Sequence, residues 1–419
     1  MIVTHAMRLF LGHQLGPFEF KKDIGYLPNY NVPNLGLYVH IPFCNDLCPF
    51  CPYYKIKLSP DYFKPYLKAL IAEIALVAKK VVLPGKKRKA TSLYFGGGSP
   101  ALMIDELSTI RKIIDNYFIV EGNAGVELHP RDITIDTAMK LENAGFDMVS
   151  IGVQSFNGAL LKNLGRDDLD FNSTFKHLNR GNFQAIDIDL IFGIPGQSEN
   201  DLRTDFLKAV EAGATQISTY PFIDFSYADN RKKPQGRIAQ KKLLSTLLKT
   251  ADESGFVRTS VWTFGKKNAP KYSSITRDCF LGFGPSATSL GLDSFKANTF
   301  SVDAYIETAN KHIVPTSLRM QFTTRTRKLY WLFWNCYKGY LSEKDYKELF
   351  SSELNKDFSF WLRLGKVAGL FNREEQGWAL TELGSYKFHW VEQEYTHQYI
   401  DKTWKTAMDN PWPEKISLY

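Results

Sequence analysis

Up to about residue 300, short apolar runs alternate with stretches whose apolar positions return at helical spacing. The runs fall at residues 37–41, 92–95, 125–128, 148–153, 185–191 and 216–220, and they predict six strands. Between the first two lies the clearest helical pattern, residues 62–77. There Phe63, Tyr66, Leu67, Leu70, Ile71, Ile74 and Val77 recur every few positions. Strands alternating with helices predict an α/β protein with a parallel sheet and helices outside it. Six such units suit an open, partial (β/α)6 barrel. Sites on parallel sheets form at the carboxyl ends of the strands, so the strand exits are where chemistry is to be sought.

The pattern changes after about residue 310. Residues 322–404 are rich in aromatic and charged side chains at helical spacing. Gly369-Leu370-Phe371 and Trp378-Ala379-Leu380-Thr381 flank a turn-like Glu374-Glu375-Gln376-Gly377. Helices followed by a hairpin predict a mainly α, winged-helix-like unit. The expected organisation is an N-terminal arm at 1–36, the partial barrel at 37–308 and the winged-helix-like domain at 309–419. Winged helices bind DNA in some proteins and serve as lids or interaction modules in others. No chemistry found below calls for nucleic acid, and none is expected as a partner.

Composition adds limits. With 419 residues, 44% hydrophobic and 23% charged, the chain has the balance of a soluble globular protein of one large and one smaller domain. No apolar run reaches the roughly 18 residues that span a bilayer. The first residues lack the basic start and cleavage site of a signal peptide, so a cytoplasmic location is expected. The formal charge is +8, with Lys79, Lys80, Lys86, Lys87, Arg88 and Lys89 close together. A solvated helix end is the plain reading of that cluster; attraction of an anionic ligand is the sharper one.

Three of the five cysteines lie within eight residues, in Tyr38-Val-His-Ile-Pro-Phe-Cys44-Asn-Asp-Leu-Cys48-Pro-Phe-Cys51-Pro-Tyr53. Cys279 and Cys336 stand apart and read as small buried apolar residues. The C-x3-C-x2-C spacing follows a strand directly. Pro49 and Pro52 oppose a regular helix, so a loop that curls round a centre is expected. Thiolates suit an iron–sulfur cluster or zinc. A structural zinc would want a fourth Cys or His at short spacing, and only His40 is near. Three thiolates on a four-iron cluster leave one iron open to a small molecule.

Further motifs follow the later strands. Gly96-Gly97-Gly98-Ser99-Pro100 lets backbone approach a neighbour closely, yet lacks the Lys of a phosphate loop. Val126-Glu127-Leu128-His129-Pro130, Ser150-Ile-Gly-Val-Gln154-Ser-Phe-Asn157, Leu164-Gly165-Arg166 and Asp187-Ile-Asp189-Leu-Ile-Phe-Gly193 complete the set. A strand-end charge is the plain reading of Glu127, and a surface arginine that of Arg166. A carboxylate on a buried strand needs a partner, and Asp187 shares a face with Asp189.

With these motifs the chain, from about Tyr38 to Asn298, resembles the oxygen-independent coproporphyrinogen III oxidase-like family of radical S-adenosylmethionine enzymes. That group holds oxidases, haem chaperones, haem-cleaving enzymes and class C radical methyltransferases. The resemblance implies a 4Fe-4S cluster on Cys44, Cys48 and Cys51, and S-adenosyl-L-methionine, one molecule or two. It implies that the cofactor is bound by Tyr38, Phe50, Gly97, Gly98, Ser99, Glu127, Gln154, Arg166 and Asp189. In that assignment Glu127 takes the methionine amine, Arg166 the methionine carboxylate and Asp189 a ribose hydroxyl. Gly282-Phe283-Gly284-Pro-Ser-Ala-Thr288 resembles a loop that closes on the adenosine. The implied reaction is reductive cleavage to a 5′-deoxyadenosyl radical acting on an anionic tetrapyrrole, with a flavodoxin or ferredoxin as reductant. Rival readings are a methyltransferase, a haem chaperone and, outside the family, a zinc-stabilised nucleic-acid binder. Oxidases of the group carry a further cysteine where this chain has Tyr53.

Overall fold

All six expected strands form, and a seventh joins them. The computed structural model describes residues 19–32, 34–228, 232–270 and 278–418. Labelled in chain order, the parallel strands are β1 (Gly36–Ile41), β2 (Ser92–Gly97), β3 (Ala124–Leu128), β4 (Met148–Gln154), β5 (Ala185–Phe192), β6 (Gln216–Pro221) and β7 (Phe280–Phe283). They lie side by side in the order β6-β5-β4-β3-β2-β1-β7, every ladder parallel. The α/β expectation holds. The apolar pattern does not predict β7, because Gly282 interrupts its apolar run. That glycine is required: a Cβ there would lie 2.2 Å from the Thr288 carbonyl oxygen.

The sheet continues antiparallel on both sides. Beyond β6 come Thr263–Lys266 and then Phe256–Arg258. Beyond β7 come Thr288–Leu290, Ser294–Asn298, Thr316–Gln321, Glu19–Lys22 and Lys415–Ser417. Among the described residues the strand order has two ends, and no ladder joins them. Thr316–Gln321 and Lys415–Ser417 carry the main sheet past residues 308 and 309, and that boundary itself falls inside the helix Val302–Asn310.

The helix expected at 62–77 runs from Pro60 to Val81, with proline at its first position, where no amide donor is lost. Its stripe of Tyr66, Leu70, Ile74 and Val77 is buried against the sheet. Each such side chain contributes about 1.5–3 kcal/mol relative to exposure. Glu73 lies on the same stripe, and burial raises its carboxyl pKa. It is held by the Gly284 amide at 2.8 Å, the Tyr305 hydroxyl at 2.7 Å and Asn298 Nδ2 at 2.7 Å. This knot ties the helix to the exit of β7.

After residue 323 three helices, Thr324–Tyr337, Glu343–Phe350 and Leu354–Val367, pack round Trp331, Tyr346, Leu354, Leu362 and Trp378. The turn at 374–377 does join a hairpin, Phe371–Glu374 with Gly377–Leu380, and Tyr340–Ser342 adds a third strand. The basic cluster stands at the amino end of the sheet, since Arg88–Ala90 precedes β2. Arg88 caps carbonyls of Val81 and Val32, and Lys89 pairs with Glu121. The cluster is therefore remote from the strand exits. No described helix is long and apolar enough to cross a membrane. Cys279 and Cys336 are buried.

Candidate active site

The cysteine loop leaves β1 and is closed at its base. Phe43–Cys44 pairs with Ile56–Lys57, the Ile56 amide donates to Pro42 O at 2.7 Å, and the Leu58 amide to Cys44 O at 3.0 Å. Inside the loop the Cys51 amide donates to Cys48 O, and Lys55 Nζ to Cys51 O at 3.0 Å. Cys44, Cys48 and Cys51 all face one cavity of about 620 Å³. Burial pushes the Cys44 thiol up to about 12 and the Cys51 thiol in the same direction. Thiols so placed become thiolates when a metal cation offsets the lost hydration. No group of three ligating side chains among the described residues forms a single-ion site. A cluster with one iron per thiolate spreads its ligands, which suits three separate thiols on one loop.

The glycine loop at the exit of β2 is locked onto the exit of β1. The amides of Gly98 and Ser99 donate to Ile41 O and Phe43 O, each at 2.7 Å. A Cβ on Gly98 would lie 2.3 Å from Phe43 O. Gly97 sits at φ +107°, with the His40 ring 2.5 Å from where its Cβ would be. The close approach that these glycines allow is thus first of all to the backbone leading into the cysteine loop. Ser99 donates to Asp132.

Glu127, at the end of β3, accepts from Tyr94 Oη at 2.8 Å and from the Gly97 amide at 3.0 Å, and burial raises its pKa. Gln154, at the end of β4, has φ +71°, where the register with β5 slips between Asp189 and Leu190. A non-glycine residue held there stores strain, a common mark of a functional position. Arg166 donates to Gly152 O and, at 3.4 Å, to Cys48 Sγ, and its guanidinium lies 5.4 Å from the centre of the buried Phe50 ring. Its Nε is buried without an acceptor. Asp189 accepts from Ser150 Oγ at 2.9 Å, and its pKa is raised well above the carboxylate range by burial, then by Asp187 and Glu127.

The cavity therefore gathers Cys44, Cys48, Phe50, Cys51, Gly97, Gly98, Ser99, Glu127, Gln154, Arg166 and Asp189. Tyr38 is not in its lining. Its hydroxyl is engaged by His40 Nδ1 at 2.9 Å, and its ring stacks on Tyr94 at 6.1 Å, so it stands behind the residue that holds Glu127. The expected adenosine loop does not reach the cavity either. Gly282 and Phe283 belong to β7, and Ser286 Oγ lies 3.3 Å from His40 Nε2.

Other groups carried no motif. Arg131 bridges Asp46 of the cysteine loop at 2.8 Å and Asp167 at 2.9 Å, and only its position after Glu127-Leu-His-Pro hinted at it. His129 accepts from the Arg131 amide, and burial with Arg166 nearby pushes its pKa down to about 3, so it is neutral. The rest of the lining consists of Tyr220 near the end of β6, Thr259, Ser260, Trp262 and Thr263, and Asn335, Tyr337 and Lys338 at the end of Thr324–Tyr337, while Phe222, just after β6, packs with Phe50, Cys48 and Cys51.

The residues fit the implied groups by their own chemistry: three thiols on a loop, an unpaired guanidinium N–H for a carboxylate, and acceptor oxygens for amine and hydroxyl donors. Residues 38–208 match the radical SAM superfamily. The oxygen-independent coproporphyrinogen III oxidase of Synechocystis is 27% identical over 335 residues, 73% of this chain and 70% of that protein. The haem chaperone HemW of Bacillus subtilis is 24% identical over 364 residues, 83% of this chain and 95% of that protein. The fold matches the structure of coproporphyrinogen III oxidase (HemN) from Escherichia coli with a TM-score of 0.75 at 22% identity, over 92% of this chain and 98% of that one. The chain thus carries a radical SAM domain at residues 38–208, and oxygen-independent coproporphyrinogen III oxidases and HemW haem chaperones are among its homologues.

Proposed function

We propose that this chain is a radical S-adenosylmethionine enzyme acting on a tetrapyrrole. The observation that carries the reading is the meeting, round one cavity, of three thiols with Glu127, Gln154, Arg166 and Asp189 from separate strand exits. A 4Fe-4S cluster with one open iron, together with S-adenosylmethionine, supplies one-electron cleavage of the sulfonium and a 5′-deoxyadenosyl radical. The chain's own residues then have distinct tasks. Cys44, Cys48 and Cys51 hold the cluster, and Arg131 braces their loop through Asp46. Glu127, already oriented by Tyr94 and Gly97, accepts the methionine ammonium. Arg166 Nε meets the carboxylate, and Asp189 takes a ribose hydroxyl. Phe50 covers Arg166 and excludes water from that side.

The substrate class rests on the homologues, whose names include coproporphyrinogen III oxidase. A haem chaperone that keeps the same cluster is the second reading, favoured by the near full-length match to HemW. Anaerobic reconstitution tests both. The oxidase-like reading expects a brown protein that cleaves S-adenosylmethionine after reduction and releases carbon dioxide from coproporphyrinogen III. Bound haem with only slow cleavage would favour the chaperone. A colourless protein without cleavage would overturn the radical reading.

A further inference from the structure

The inner face of the sheet is polar where a barrel is usually filled with branched apolar side chains. On β4, β5 and β6, Ser150, Asp187 and Gln216 stand in register, and Gly152, Asp189 and Ser218 stand two residues further on. All six line the cavity. Asp187 is only 2% exposed. Its Oδ2 accepts from Gln216 Nε2 at 2.8 Å and from Ser218 Oγ at 2.7 Å, the backbone amides of Ile188 and Ser218 lie close enough to favour its ionised form, and Oδ1 is buried with no side-chain partner. A buried carboxylate oxygen left unpaired is costly, and such an atom on a cavity wall calls for a ligand donor.

In the function proposed above, Glu127 and Asp189 are taken by the cofactor and Asp187 is not. We infer that Asp187 binds the substrate, its Oδ1 accepting a hydrogen bond from an N–H group: a ring N–H or an ammonium. The present donors favour nitrogen over a hydroxyl. Lys55, Arg131, Arg166 and Lys338 line the same cavity, and Arg166 acts on Asp189 through space, yet the hydrogen bonds described for Glu127, Asp187 and Asp189 all come from uncharged donors. A polarised or cationic N–H compensates a buried carboxylate best. The two donors on Oδ2 also fix the carboxylate, which leaves Oδ1 as the oxygen open to a further donor. The substrate is therefore read at this wall through nitrogen, not through its carboxylates.

The assignment rests on the cofactor reading, and the test separates the two. Anaerobically reconstituted full-length protein with S-adenosylmethionine would be assayed for binding coproporphyrinogen III, a ring N–H probe, and spermidine, an ammonium probe. Wild type is expected to bind one of them, which identifies the source of the N–H. In Asp187→Asn the amide oxygen is claimed by Gln216 and Ser218, so an N–H faces the substrate donor. Binding of that probe should weaken about ten- to a hundredfold, the worth of a charged hydrogen bond. Cluster absorbance and affinity for S-adenosylmethionine should stay within about twofold, which also shows that the variant folds; Asp187→Ala should lose probe binding likewise. Binding of both probes by Asp187→Asn as by wild type, or of neither by wild type, would overturn the assignment. If instead Asp189→Asn leaves cofactor affinity unchanged, the cofactor reading fails by itself.

Discussion

On one side of the cavity, the cysteine loop and the exits of β2 to β5 are locked together by backbone and side-chain hydrogen bonds. Gly98 and Ser99 donate to the strand that delivers Cys44, Gly97 donates to Glu127, and Ser150 to Asp189. On the other side, Tyr220, Trp262 and Tyr337 come from separate segments of the chain and meet edge to face, with Trp262 at 6.3 Å from Tyr220 and 5.6 Å from Tyr337. The first wall is fixed by hydrogen bonds between neighbouring strand exits, as a site must be that positions a reactive group. The second is assembled by packing between the sheet and the C-terminal helices. Trp262 Nε1 donates to the buried His389, which belongs to Glu382–Tyr395. The wall proposed above for the cofactor is thus joined by hydrogen bonds between adjacent strand exits, and the wall proposed to meet the substrate by packing of the C-terminal helices on the sheet.

The largest expected effect belongs to the first wall. Cys48→Ala should abolish both the cluster absorbance and cleavage of S-adenosylmethionine, whereas Trp262→Phe should leave both and alter only turnover with substrate. If Trp262→Phe also bleaches the cluster, the two walls are not independent. Next comes Gly98→Ala. Its Cβ would press on Phe43 O, so the denaturant midpoint should drop by the equivalent of about 1–3 kcal/mol, the usual cost of overpacking. Unchanged stability would mean that the strand exits are loosely joined.

Arg166→Ala should weaken S-adenosylmethionine binding by about tenfold or more while the cluster colour remains, read by equilibrium dialysis. Unaltered affinity would remove Arg166 from the cofactor wall. The smallest effect concerns the far wall. Burial, reinforced by Arg258, pushes His389 down to about 3 from its ordinary 6.5. Because the folded value is the lower one, the unfolded chain takes up the proton first. Stability present above pH 6.5 is then lost as pH falls toward 3. Between pH 7 and pH 4 the wild-type midpoint should fall further than that of His389→Gln. Equal slopes would show that His389 is not held neutral by this packing.

Much of the first wall could be read from the chain alone. The six apolar runs, the cysteine spacing, Gly96-Gly97-Gly98, Glu127, Gln154, Arg166 and Asp189 each lie within one strand and its exit, where local spacing carries the information. Tyr38 and the stretch 282–288 were read with them but lie behind the cavity, because a motif does not say which way its strand will be covered. Asp187 and Asp189 could not be told apart by alternation, which puts both on one face. Only the neighbours on β6 show that one is spent on two donors and keeps an unpaired oxygen.

The sequence by itself determined the parallel α/β plan and the thiol-bearing loop, since periodicity and ligand spacing are properties of adjacent residues. Tertiary structure alone decided that β7 joins β1, that the sheet runs on past residue 308, and that Asn335, Tyr337 and Lys338 come to face the cysteines. Those contacts join residues hundreds of positions apart. Their free energy comes from burial shared among many side chains, and no short stretch of sequence records it.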